Sequence, residues 1–268
     1  MLSELIEAKL QKLQGQFEKR LNAYIDSPDN EKNVHDVRTS LRRLDSMFLL
    51  FSKRLRNSNR KRIAIYWAFF KATSDMRDCD IIISKLALLS PDCHSLSVGL
   101  GRKRDRELKC VARKVKALRK VRAISLKRMS SDELETRIDK VTTKLCERIK
   151  ENLSHALSDS ENVKQLHSLR KDLKKLRYIL ETLDNQVVKK IEKKIEAAGI
   201  PADIELLEKL QDELGEIHDS DITLQHLGSS KSKIAKELYA REARIRELQY
   251  MDFVEHMKSI LATDSKLV

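Results

Sequence analysis

Two eighteen-residue segments of this chain align without a gap at a constant offset of 132: V-H-D-V-R-T-S-L-R-R-L-D-S-M-F-L-L-F at 34–51 and L-H-S-L-R-K-D-L-K-K-L-R-Y-I-L-E-T-L at 166–183. His35 meets His167, Arg38 meets Arg170, and Arg42–Arg43 meet Lys174–Lys175. The apolar positions Val34, Val37, Leu41, Leu44, Phe48 and Phe51 fall on Leu166, Leu169, Leu173, Leu176, Leu180 and Leu183. Their alternating three- and four-residue steps are the seam of a helix packed in a bundle. Heptad spacing alone makes any two such helices alike, but it does not also match a His, an Arg and a basic pair. A second pair of motifs follows in the same order: R-D-C-D at 77–80, 42 residues after His35, and H-D-S-D at 218–221, 51 residues after His167. Each runs into an apolar stretch. Two motifs repeated in order predict a duplicated helical unit, with halves 1–129 and 130–268.

Punctuation is scarce, with six glycines and three prolines in 268 residues. Strand-and-turn architectures need such residues often, so the expected class is all-α, built of long antiparallel helices. Helical patterns run over about 2–25, 31–56, 60–86, 98–128, 132–158, 161–184, 186–198, 202–227 and 231–262. Ser27-Pro-Asp-Asn30 reads as a turn and Pro91 as part of a loop. Ser130 with Glu133 reads as a capping box, and Gly199 before Pro201 as a helix stop followed by a helix start.

The formal charge is +13, which implies an anionic partner: nucleic acid, a lipid surface or a phosphate polymer. It is unevenly spread. Residues 1–129 carry 30 Lys+Arg against 14 Asp+Glu, and residues 130–268 carry 24 against 27. A basic site in the second half is therefore local. The four cysteines, Cys79, Cys93, Cys110 and Cys146, are dispersed without a CxxC pair and read as reduced thiols of a cytosolic protein. The first residues form an amphipathic helix with acids in it, not a signal peptide, and no apolar run approaches the ~20 residues of a membrane span. The expectation is a soluble, cytoplasmic protein with no membrane partner.

At about 100° per residue, His35, Arg38 and Arg42 fall on one side of their helix, beside the seam, while Arg43 projects elsewhere. His167, Arg170, Lys174 and Arg177 repeat the row. Such a row repels itself unless an anion neutralises it. Arg offers bidentate contacts to phosphate oxygens, Lys a compact point charge, and His a donor that charges near neutral pH. A series of them along a helix matches a repeating anion better than a single phosphate. The plainer reading is a solvated face with i,i+4 partners and a packed histidine; the gapless repetition favours the binding reading. Residues 102–128 add 13 basic against 2 acidic side chains. Arg102, Arg106, Lys109, Arg113, Lys116 and Lys120 share one face, opposite Leu108, Val111, Val115 and Leu118. This stripe either extends an anion groove or draws nucleic acid non-specifically.

These motifs resemble the CHAD family, the conserved-histidine α-helical domain. The most distinctive match is L-Q-D-E-L-G-E-I-H-D-S-D at 210–221, and the resemblance would extend over about 5–262. It implies two four-helix-bundle-like halves, related by a pseudo-two-fold, around a basic groove or pore that binds inorganic polyphosphate. By position, His35, Arg38, Arg42 and Arg43 would line one side, and His167, Arg170, Lys174, Lys175 and Arg177 the other. Two residues depart from the pattern: Asp45 stands where the second copy has Arg177, and His218 where the first has Arg77. Asp78, Asp80, Asp219 and Asp221, with Arg77, read as structural groups that orient basic side chains or cap the next helix. As metal ligands, two Asp per motif without a third ligand are a weak set, and neither a metal nor a cofactor is expected.

The leading expectation is non-catalytic polyphosphate binding. An alternative is nucleic-acid binding through 98–128; aromatics are only 4%, which disfavours stacking platforms. A lesser alternative is an enzyme acting on phosphate chains with His35 or His167 as acid/base. The chain carries no E-x-E-x-K strand motif of a triphosphate tunnel and no Walker loop.

Overall fold

A computed structural model describes residues 2–90, 94–121, 124, 129–200 and 202–264. Pro91, Cys93, Pro201 and, in the basic stripe, 122–123 and 125–128 lie outside the described residues. The chain divides into two compact units, Met1–Ile138 and Asp139–Val268. Among the described residues the regular structure is α-helix with no strand, so the fold is all-α.

The first unit holds α1 (Leu2–Asp26), α2 (Glu31–Leu49), α3 (Lys53–Ser58), α4 (Arg60–Ala72), α5 (Ser74–Leu89), α6 (His94–Leu118) and the start of α7 (Ser131–Ser158). The seam of α2 is fully interior: Val34, Val37, Leu41, Leu44 and Phe48 are buried. It packs on α1, which buries Ile6, Leu10, Phe17, Leu21 and Tyr24. Edge-to-face ring pairs tie α1 to α4, Phe17 to Tyr66 at 5.3 Å and Tyr24 to Phe69 at 5.8 Å. Each such buried apolar side chain contributes roughly 1.5–3 kcal/mol relative to exposure.

The second unit holds the rest of α7 with α8 (Val163–Leu180), α9 (Asn185–Glu196), α10 (Ile204–Gly228) and α11 (Lys233–Asp264). α10 packs on both α8 and α11. The α8 seam Leu166, Leu169, Leu173, Leu176 and Leu180 is buried, as are Leu207, Leu210, Leu214 and Ile217 of α10 and Phe253 and Met257 of α11.

Helix ends follow local chemistry. The side chain of Asn30 accepts from the amides of Lys32 and Asn33 to open α2, and Ser130 accepts from the Glu133 amide to open α7. Gly199, just beyond α9, takes a φ of 77°, where an L side chain would be strained. Two predicted helices are each broken in two. The pattern at 31–56 yields α2 and α3, because Ser52 caps a new start by accepting from the Leu55 amide. The pattern at 60–86 yields α4 and α5. There the Thr73 hydroxyl lies 3.1 and 3.0 Å from the carbonyls of Phe69 and Phe70, competing with the helical ladder.

Candidate functional site

The row on α2 separates into two fates. His35 is exposed and Arg42 and Arg43 are half-buried at the edge of the seam. Arg38 is 6% exposed and turned inward. Its Nη1 donates to the Phe70 carbonyl at 2.8 Å, to the Thr73 hydroxyl at 2.9 Å and to the Ser74 hydroxyl at 3.2 Å. Its guanidinium lies 4.3 Å from the centre of the Phe70 ring. Arg38, expected in the ligand row, therefore caps the end of α4 and holds the α4–α5 junction. Burial, then neighbouring Arg42, pushes its pKa down to about 9, with Asp78 acting the other way. It remains charged at neutral pH.

The row on α8 divides similarly. His167, Arg170, Lys174 and Lys175 are half-buried. Arg177 is 6% exposed and ion-paired with Glu208 of α10 and, at 3.4 Å, with Glu181. Lys175 approaches Asp172 at 3.3 Å, and Arg148 of α7 meets the same carboxylate at 2.7 Å. Lys175 and Arg177 thus serve the framework of their unit. The Arg170 guanidinium lies against the backbone of α10 at Gly215: a Cβ there would stand 3.4 Å from Nη2 and 3.6 Å from Nε. The glycine inside L-Q-D-E-L-G-E-I-H-D-S-D leaves that bed open. His167 and His218 stack with ring centres 4.6 Å apart, on the wall of a concave pocket of ≈ 640 Å³ that also includes Lys164, Asp221 and Arg246.

The aspartate motifs turn out to be the anchors of both faces. Asp80, 1% exposed, accepts from Arg104 Nε at 2.5 Å, and Arg104 Nη2 donates at 2.9 Å to the carbonyl of Asp29, just before α2. In the second unit Asp221 accepts from Arg246 Nε at 3.0 Å, and Arg246 Nη2 donates at 2.6 Å to the carbonyl of Ser160, just before α8. One carboxylate, one arginine from the following long helix and one loop carbonyl recur in each unit, fixing where the histidine helix begins. Burial raises the Asp221 carboxyl above its ordinary value while Arg246 lowers it. In Arg104 the bonds and charges of Asp80 and Asp29 outweigh the opposing effect of burial, and its pKa rises. Arg77, Asp78 and Asp219 are half-buried beside these anchors. Arg104 and Arg246 were not singled out from the sequence. Their only signal is spacing, 24 and 25 residues beyond their aspartates.

The stripe on α6 keeps its predicted faces. Arg102, Arg106, Lys109, Arg113, Lys116 and Lys120 are exposed, Val111 and Leu118 are buried, and Leu108 and Val115 are half-buried. No described helix is long and apolar enough to cross a membrane.

Residues 4–228 match the family model of the CHAD domain. No curated protein matches. Among solved structures, the crystal structure of the CHAD domain from the plant Ricinus communis is similar in fold, with a TM-score of 0.61, 15% identity, and coverage of 97% of this chain and 91% of that one. With a family model spanning most of its length and the same helical architecture, the chain belongs to the CHAD-domain family.

Proposed function

We propose that this protein binds inorganic polyphosphate without catalysis, through His35, Arg42 and Arg43 of the first unit and His167, Arg170 and Lys174 of the second. The observation that carries the reading is a repeated one. In each unit a histidine-led helix buries its apolar seam and leaves its histidine and two half-buried cations outside it, Arg42 and Arg43 in the first and Arg170 and Lys174 in the second, of which Arg42 and Lys174 are equivalent positions. The same Asp–Arg–carbonyl anchor steadies its start. Pre-set cations in partly dehydrated surroundings attract phosphate more strongly than cations in bulk water. The association of CHAD domains with polyphosphate supports the choice of ligand.

The test is titration with long-chain polyphosphate at two salt concentrations, beside the double variant Arg42→Ala/Lys174→Ala. Tight binding that falls with salt, as counterion release requires, and weakens at least about tenfold in the variant, is expected; two charge-assisted contacts support that size. Binding unchanged by the double substitution would refute the assignment.

A second reading is favoured by one observation, the five exposed cations aligned on α6, Arg102, Arg106, Lys109, Arg113 and Lys116, with Lys120 just beyond its end. It makes α6 a non-specific nucleic-acid surface. Competition between duplex DNA and polyphosphate at equal phosphate concentration separates the two.

A further inference from the structure

Ten large apolar side chains are exposed among the described residues, and five of them, Ile234, Tyr239, Ile245, Leu248 and Met251, lie on α11. Leu248 and Met251 are 55% and 58% exposed. Exposed apolar residues scattered singly need no explanation, but three within seven positions of one helix do. The inward face of α11 is set by buried Glu242, Arg246, Tyr250, Phe253 and Met257. At about 100° per residue, Arg244, Leu248, Met251 and Glu255 fall nearly opposite that face, with Ile245 and Asp252 at its flanks. All six are exposed.

The order of these residues is its own complement. Reversed about Leu248, the segment brings Leu248 onto itself, Ile245 level with Met251 and Arg244 level with Asp252. The next pair out, Arg241 and Glu255, is again of opposite charge. Arg241, Leu248 and Glu255 also recur every seven residues, the spacing of a seam between paired helices. A parallel pairing in register would set Arg244 on Arg244 and Asp252 on Asp252, so like charges select against it. An apolar centre with a basic turn on one side and an acidic turn on the other suits an isologous two-fold contact, in which every pair occurs twice.

We propose that the outward face of α11 pairs with the same face of a second copy of this chain, antiparallel and centred on Leu248. About four turns of helix, 241–255, take part. Such a contact lies at the small end of specific interfaces, so the association is weak and concentration-dependent. It concerns α11 alone and does not rest on phosphate binding by α2 and α8.

Sedimentation equilibrium of the whole chain, without phosphate polymer and from micromolar to submillimolar concentration, tests it. A monomer–dimer equilibrium is expected, weakened at least about tenfold by Leu248→Lys, which sets two like charges at the centre. Arg244→Glu and Asp252→Arg are each expected to weaken self-association about tenfold, because the two-fold repeats each repulsion. Mixed in equal amounts, these two variants should associate with each other as tightly as the parent chain with itself, since both charge pairs between the mixed copies are again of opposite sign. Helix content by circular dichroism separates lost pairing from lost folding. A monomer at every concentration, a dimer indifferent to Leu248→Lys, or single variants that do not recover on mixing overturns the proposal. The first of these leaves the face to a different protein.

Discussion

Chemically equivalent residues have different work here, decided by what each side chain meets. Arg42 and Arg38 lie one turn apart on the same side of α2, yet only Arg38 is drawn into the interior, because three acceptors at the α4–α5 junction await it. The anchor pairs follow the same rule. Removing Asp80 or Asp221 leaves Arg104 or Arg246 charged, largely buried and short of its main acceptor. Asp80→Ala and Asp221→Ala are each expected to destabilise their unit by about 3 kcal/mol, the lower range for breaking a buried pair, in chemical denaturation. Asp221 also sets a pH dependence. Its folded pKa lies above the ordinary 3.8, so between those values the folded chain holds more protons than the unfolded one. The contribution of this group to stability is therefore fullest below 3.8 and falls as pH rises through the folded pKa. Asp221→Asn should flatten the decline in stability on the alkaline side of that ordinary value. A decline unchanged in the variant would assign it to another group.

At the level of elements, α8 and α10 show how a helix is shaped to serve its neighbour. Gly215 sits in the middle of α10, where glycine costs ~1 kcal/mol relative to alanine, and the Arg170 guanidinium occupies the space above it. An added Cβ would meet Nη2 at ordinary contact distance, so alanine fits, whereas a longer side chain would displace the guanidinium. Gly215→Ala should keep polyphosphate affinity and raise stability by up to ~1 kcal/mol. Gly215→Leu should lower affinity several-fold with the helix content retained. Equal affinities in the two variants would detach Arg170 from ligand binding. The broken helices carry a related lesson. Nothing at Thr73 resembles a glycine or proline stop, and the break depends on a guanidinium that arrives from 35 residues away.

For the molecule as a whole, charge is distributed in a way that affects rates more than structure. The first half bears more than the whole positive excess, the second being slightly acidic, and α6 displays its cations to solvent. Exposed charges at such distances are screened by salt and mainly steer encounter. A triple variant, Arg106→Gln/Lys109→Gln/Arg113→Gln, should slow association with polyphosphate several-fold at low salt and leave dissociation nearly unchanged, as stopped-flow kinetics would show. A change confined to dissociation would instead make α6 part of the contact surface. The Asp–Arg–carbonyl anchor recurs in both units.

The all-α class, the two histidine helices, their buried seams and the face of α6 were legible in the sequence alone. Helical periodicity is a local property, repeated often enough along each segment to declare which side is apolar. The division of labour among the cations was not legible. Whether an arginine faces solvent, caps a foreign helix or balances a buried carboxylate depends on partners tens of residues away, and no spacing rule along one helix reports them. The tertiary structure alone turned Arg38 and Arg177 inward and paired Asp80 with Arg104 and Asp221 with Arg246. Burying a charge costs several kcal/mol unless an acceptor is in place, so only the completed fold determines which charges can be interior.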